Sequence, residues 1–295
     1  MAVIGIDLGT TNSLAGVWQD GKVVLIPNAF GEYLTPSVVG IGKNQEVFVG
    51  SVAKEMLATQ PYDTFREFKR NMGTNFLYGN GRKKYRAEEL SAFVLRRLKE
   101  DAEKFLGEEV TEAVISVPAY FDDNKRNATK NAGRLAGLKV ERLINEPSAV
   151  ALKHHTAEKG AESFIVFDFG GGTLDVSLVE AFDNVVEIQA VAGDNYLGGK
   201  DFNEIIAQDF YEQNQISEAY LTKNEQENVL KEAEAVKKEL TDKNEAERQV
   251  YIKGEAYTLK MTNQRLIHLS AELFSRMAKP IAKVINMVGI ELEEL

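Results

Sequence analysis

Two stretches of the chain carry one hydrophobic pattern. Residues 3–17, VIGIDLGTTNSLAGV, and residues 165–179, IVFDFGGGTLDVSLV, each run from a β-branched apolar segment into an aspartate. Each then crosses a Gly/Thr turn and leaves through a second, alternating apolar segment. This is the signature of a strand–turn–strand hairpin. A third strand-like run follows each copy, at Lys22–Pro27 and at Val185–Ala192. Asp7 and Asp168 hold the same place in the two copies and lie a domain length apart. The repetition predicts a duplicated α/β unit with two lobes.

Between the hairpins the periodicity predicts helices near 51–60 and 87–106. A strand at Glu112–Val117 is closed by Pro118, and a helix over about Asp122–Ala136 opens on Asp122 or Asp123 and ends at Gly137. A strand at Glu141–Ile144 then leads into NEPSAVALKHH. The small, polar run at 155–163 is the expected boundary, giving lobe I over 1–158 and lobe II over 159–295. After the second hairpin come a helix following Gly198-Gly199, a charged helix over about 223–242, a hairpin within RQVYIKGEAYTLKMT, and one long helix over about 263–288. No counterpart of the segment 112–144 follows in the second half, so lobe II is expected to be incomplete at its C-terminal end.

Composition narrows the chemistry. The 295 residues are 44% hydrophobic and 27% charged, an ordinary globular balance for about two domains. The absence of cysteine excludes disulfides, zinc–thiolate sites, iron–sulfur clusters and cysteine nucleophiles. A net charge of −10 argues against a general nucleic-acid binder. No apolar run reaches the ~18–20 residues of a membrane-spanning helix, and Met1–Asp7 is strand-like without a basic leader. These features are those of a cytoplasmic protein with neither nucleic acid nor membrane as partner.

The paired turns, Asp7-Leu8-Gly9-Thr10-Thr11-Asn12 and Asp168-Phe169-Gly170-Gly171-Gly172-Thr173, can bind phosphate. Glycines admit close approach to the backbone, successive N–H groups form an anion nest, and threonine hydroxyls add donors. An aspartate at each strand end can hold Mg²⁺ through water, with the ion bridging phosphate oxygens. One such turn alone is equally an ordinary hairpin; two, each with an acid at the same place, point to a nucleotide clamp. Neither turn matches GxxxxGK[ST] or a strand–GxGxxG–helix fingerprint.

The motifs IGIDLGTTNS, ISVPAYFDDNKRNATKNAGRLAGL, LINEPSAVAL, VFDFGGGTLDVS and GDNYLGGKDFN, in this order, resemble the nucleotide-binding domain of the seventy-kilodalton heat-shock chaperones of DnaK type. The segment VWQDGKVVLIPNAFGEYLTPSVV is most similar to the HscC-like branch. The resemblance implies an α/β, actin-like (ribonuclease H-like) ATPase fold with two lobes around a central cleft, C-terminally truncated here. It implies ATP or ADP with Mg²⁺, and extends to K⁺. It further implies a J-domain co-chaperone and a nucleotide-exchange factor as partners, with unfolded peptide bound only through a domain absent from these 295 residues.

Carried over by position, the resemblance implies that Gly9, Thr10, Thr11 and Asn12 contact phosphates opposite Gly170, Gly171, Gly172 and Thr173. Asp7, Asp168 and Asp175 would hold hydrated Mg²⁺. Lys69 would reach the γ-phosphate and Glu146 would place the attacking water, so Lys69, Glu146, Asp168 and Thr173 form the catalytic set. Gly198 and Gly199 would also contact the nucleotide, and Glu234, Lys237, Lys238 and Thr241, on one helix face at i, i+3, i+4 and i+7, would form one side of the adenosine pocket. Lysine at 238 and threonine at 241 replace the usual arginine and serine, which removes a planar guanidinium from the purine. Pro118, Tyr120 and Arg126 match the relay from nucleotide state to peptide site.

On local grounds alone these residues read differently. Lys69 in a basic stretch is a solvated charge, Glu146 is a loop acid, Pro118 is a rigid turn and the 234–241 face is solvated. His154, His155 and His268 lack metal-ligand spacing and read as structural or surface residues. Trp18 reads as packing. Two other functions share the motif logic. An actin-like sugar kinase would need a sugar-binding insertion and an aspartate placed on a hydroxyl. A filament protein or non-hydrolysing sensor has no use for the pair Lys69 and Glu146.

Overall fold

The computed structural model describes residues 2–79, 83–154, 162–182 and 185–289. The first hairpin forms as expected from β1 (Ala2–Asp7) and β2 (Asn12–Gln19), with Asp7 opposite Leu14. β3 (Lys22–Ile26) continues the sheet, and the short β4 (Thr35–Pro36) pairs with the start of β2. β5 (Val38–Ile41), β6 (Val47–Val49) and β7 (Thr64–Arg66) make a separate small sheet carrying α1 (Ser51–Thr59). A single 3₁₀ turn, Phe68–Asn71, follows.

α2 (Ala87–Leu106) buries Leu90, Val94, Leu95, Leu98 and Ala102 along one stripe. The Glu89 carboxylate accepts the Arg86 N–H at 2.8 Å at its start, and Gly107 ends it with φ of 70°. β8 (Val110–Val117) lies parallel to β1, and β9 (Lys139–Asn145) lies parallel to β8. Between them α3 (Asp123–Leu135) opens on Asp122, whose side chain accepts the Lys125 N–H at 2.9 Å. It closes in a Schellman turn, with Leu138 N–H on the Gly133 carbonyl and Gly137 N–H on that of Arg134. The sheet order is β3-β2-β1-β8-β9. Its core joins Ile4, Ile6, Ile115 and Val117 to the α2 stripe, each side chain contributing roughly 1.5–3 kcal/mol of burial.

The segment NEPSAVALKHH becomes α4 (Glu146–His154), so Glu146 is the first residue of a helix and not a loop acid. The second hairpin follows as β10 (Glu162–Phe169) and β11 (Leu174–Phe182), extended by β12 (Val185–Asp194). Asp168 pairs with Asp175 across the strands, where the first hairpin has Asp7 opposite Leu14. β1 has partners on both edges, whereas β10 has only β11 among the described residues. α5 (Gly199–Gln213), α6 (Lys223–Glu239) and the hairpin β13 (Glu245–Ile252) and β14 (Glu255–Thr262) share a core around Ile206, Phe210, Val229, Val236 and Leu259. The expected boundary at 155–163 falls mostly outside the described residues, which also exclude His155.

Three expectations change. The long helix over 263–288 is two helices, α7 (Asn263–Leu269) and α8 (Ala271–Val288), broken at buried Ser270. The apolar period runs through the break. However, Leu266 packs on the α5–α6 core, while Leu273 and Val284 pack on the β11–β12 core, so the chain turns between two cores. α6 stops at Glu239, which leaves Thr241 in the following turn rather than on the helix face. Trp18 is not packed: it is 70% exposed, beside exposed Val3, Val23 and Leu25. In a strand, alternate residues face opposite sides, and Trp18 lies on the side opposite buried Ser13, Ala15 and Val17.

Candidate nucleotide cleft

The two glycine turns meet. A Cβ on Gly171 would fall on the Thr11 hydroxyl, so only glycine allows the second turn to approach the first this closely. The first turn is braced from behind: Ser13 Oγ donates to Ser37 Oγ at 2.9 Å, and Ser37 Oγ donates to the Gly9 carbonyl at 2.7 Å. The Ser37 N–H also reaches the Thr11 carbonyl at 2.8 Å. In the second turn, the Gly170 and Gly171 carbonyls accept the N–H groups of Gly199 and Lys200 at 3.0 and 2.9 Å. Gly198 lies so close to Gly172 that it has no room for a side chain.

A cavity of about 300 Å³ lies between the turns. Asp7, Gly9, Thr10, Thr11 and Asn12 line one side, and Asp168, Gly170, Gly171, Thr173 and Asp175 the other. Lys69, Arg70, Tyr120, Lys125 and Glu146 are among the other residues that line it. Lys69, on the 3₁₀ turn, is buried, with Nζ 2.9 Å from Glu146 Oε1 and 5.8 Å from the Phe121 ring centroid. It is therefore not a solvated charge. Ser116 donates to Asp7 Oδ1 at 2.9 Å.

The carboxylates repel one another. Burial pushes Asp175 up to about 7, with the charges of Glu146 and Asp168 adding to the rise and Lys69 opposing it. Burial also raises Asp168, reinforced by Asp7. Glu146 is raised too, because its burial outweighs the attraction of Lys69. Asp175 Oδ1 is buried with no hydrogen-bond partner. Several carboxylates around one cavity, one with an orphaned oxygen, suit a divalent cation. Among the described residues no three His, Cys, Asp or Glu side chains converge closely enough to ligate a metal directly.

A second cavity, about 200 Å³, adjoins the first and shares Thr10, Thr11, Asn12 and Gly171 with it. It runs between α1 and α6, where Lys54, Gly199, Glu234 and Lys237 line it. Lys237 donates to the Gly199 carbonyl. Burial by itself would raise Glu234, but hydrogen bonds from Lys238 and Lys54 hold it down to about 2. Lys238 touches this cavity only through Glu234, and exposed Thr241 does not line it. A third cavity, about 890 Å³, opens behind Glu146, Asp168 and Asp175 along α4 and β10.

Several residues at the cleft carried no sequence signal of their own. Across its rim, Lys54 pairs with Glu234 at 2.8 Å, Lys231 with Glu55, and Arg66 with both oxygens of Glu227 at 2.9 and 3.1 Å. From the first half, Arg70 reaches the Gly172 carbonyl in the second glycine turn, and Glu67 reaches Lys200 at the start of α5. Of the proposed relay, Pro118 is buried at the end of β8. Arg126 ties the turn after it to β9, donating to the Phe121 carbonyl at 2.8 Å and to Asn145 Oδ1 at 2.7 Å, beside Glu146. His154 and His268 are exposed, and no described helix is long and apolar enough to cross a membrane.

The family model described as Hsp70 protein matches residues 3–80 and 77–295, nearly the whole chain. Paired glycine turns facing one another across a carboxylate-lined cleft, on a duplicated hairpin, are what that family's two-lobed, actin-like ATPase fold requires, and the chain belongs to the Hsp70 family.

Proposed function

We propose that this chain binds ATP with Mg²⁺ in the cleft and hydrolyses it, the nucleotide drawing its two lobes together. The observation that carries this reading is the convergence of Lys69, Glu146, Asp7, Asp168 and Asp175 with both glycine turns on one cavity.

The residues divide the work. Backbone N–H groups of the two turns and the hydroxyls of Thr10, Thr11 and Thr173 donate to phosphate oxygens. Asp7, Asp168 and Asp175 would hold hydrated Mg²⁺, which neutralises charge on the β- and γ-phosphates when bound. Glu146 accepts a hydrogen bond from the water and aims its oxygen at the γ-phosphorus. Lys69 offers its remaining N–H groups to the γ-phosphoryl oxygens. A bond forms from the water oxygen to phosphorus as the bond to the β-phosphate oxygen breaks. ADP and inorganic phosphate leave, with the water's proton passing to solvent. Such a site works by positioning and charge neutralisation, without a covalent intermediate. Glu234, Lys237 and Gly199 take the adenosine side.

In a chaperone of this family, the lobe movement would govern a peptide-binding module, with a J-domain protein and an exchange factor as partners. K⁺ is a further candidate ligand beside the phosphates. The test is calorimetric titration of the chain with ATP and Mg²⁺ alongside single-turnover hydrolysis. Binding that requires Mg²⁺ and release of inorganic phosphate are expected; transfer of phosphate to an added sugar instead of water would overturn the assignment.

A further inference from the structure

Arg70 follows Lys69 on the 3₁₀ turn, but its side chain leaves the first lobe. Nη1 lies 2.9 Å from Glu67 Oε2, Nη2 donates to the Gly172 carbonyl, and the guanidinium carbon stands 5.6 Å from the centroid of the Tyr196 ring. Glu67 holds a left-handed backbone, φ 58° and ψ 19°, a strained conformation for a residue with a side chain. Its Oε2 also accepts from Lys200 Nζ at 3.0 Å. The arginine therefore grips the second glycine turn itself, and the strained acid grips the start of α5, whose Gly199 and Lys200 N–H groups hold that turn.

The direction of these bonds matters. In a trans peptide the C=O of one residue and the N–H of the next point opposite ways. The Gly170 and Gly171 carbonyls are turned onto the Gly199 and Lys200 N–H groups, within the second lobe. The Gly172 carbonyl is turned onto Arg70, from the other lobe. The first two peptide planes of the anion nest are thus fixed locally. The third, which carries the Thr173 N–H, is fixed only while the lobes are together.

Resting on the nucleotide reading above, we propose that Arg70 is a positioning residue: it sets the peptide plane between Gly172 and Thr173, and so makes the second phosphate turn competent only in the closed cleft. Glu67 holds the guanidinium in place and Tyr196 supports its face.

The test uses hydrogen exchange of the nucleotide-free chain together with ATP binding and single-turnover hydrolysis, in Arg70→Ala and Arg70→Lys. Loss of a charge-assisted hydrogen bond corresponds to about ten- to a hundredfold. In Arg70→Ala, exchange of the Gly170, Gly199 and Lys200 N–H groups, which bond to carbonyls of the turn, should rise by up to about that factor with 9–12 unchanged, and hydrolysis should fall about tenfold or more while ATP affinity moves less than about threefold. Arg70→Lys keeps the charge and loses the fork, and should fall between wild type and Arg70→Ala. Wild-type exchange and hydrolysis in both variants would overturn the proposal. So would a large loss of ATP affinity with unchanged turnover, which would make Arg70 a phosphate ligand. If the wild-type chain binds no ATP, the nucleotide reading itself fails, and the exchange at Gly170, Gly199 and Lys200 still decides whether Arg70 holds the turn.

Discussion

Lys69 Nζ sits 2.9 Å from Glu146 Oε1, joining a 3₁₀ turn to the first residue of a helix 77 positions away. Both side chains are largely out of solvent, 8% and 16% exposed. Burying an ion pair costs desolvation of both partners, and breaking one leaves the survivor uncompensated. The pair is therefore a poor device for stability and a suitable one for catalysis, because each partner is held where a substrate can compete for it.

Lys69→Met should lower stability by about 3 kcal/mol, and Glu146→Gln in the same chain should recover most of that loss. Both single variants and the double should lose about a hundredfold or more in single-turnover hydrolysis. Thermal denaturation and rapid-quench measurement check this. Wild-type turnover in the double variant would remove the pair from the mechanism.

Asp175 predicts a pH dependence. Its value stands at about 7 against an ordinary 3.8. A raised carboxylate binds its proton more tightly folded than unfolded, so its ionisation works against the fold as pH rises through about 7. The gap corresponds to roughly 4 kcal/mol at most. Asp175→Asn should thus stabilise the nucleotide-free protein at pH 8, by a margin that shrinks toward nothing near pH 4, while weakening Mg²⁺-dependent ATP binding. Denaturation across that range is the check, and a margin independent of pH would contradict it.

The glycine turns give a matched pair of substitutions. A Cβ at Gly171 collides with Thr11, whereas a Cβ at Gly5 meets nothing nearer than 3.9 Å, the Gly16 carbonyl. Gly171→Ala should cost about a hundredfold in ATP affinity, roughly 2.7 kcal/mol, with the fold retained. Gly5→Ala should leave affinity unchanged. Calorimetry on the two variants distinguishes a tight junction from a loose one.

The rim pairs should set the rate of nucleotide release. Lys231 and Glu55 are half-exposed, and an exposed pair of this kind is worth at most about 1 kcal/mol and weakens with salt. Glu55→Lys should speed dissociation of a fluorescent ATP analogue by about two- to fivefold at low salt. Adding Lys231→Glu should reverse it. Stopped-flow rates that ignore both changes would show that the rim does not gate release.

The hairpins, α2 and α3 were legible because local rules determine them: alternation for strands, an apolar stripe for helices, Asp122 as cap and Gly137 as stop. The paired glycine turns were legible because glycine and aspartate recur at matching places. What was hidden depends on distant contacts. Nothing near Arg70 or Glu67 marks them as partners of Gly172 and Lys200. The period through Ser270 is unbroken because the chain passes from one core to another without changing its pattern. The exposure of Trp18 depends on which face of the sheet is covered, and alternation alone cannot tell the faces apart.

Thr11 and Gly171 meet at one edge of the cavity that both turns line. The two halves are keyed to each other there through a hydroxyl and a bare backbone, and any residue other than glycine would act as a spacer.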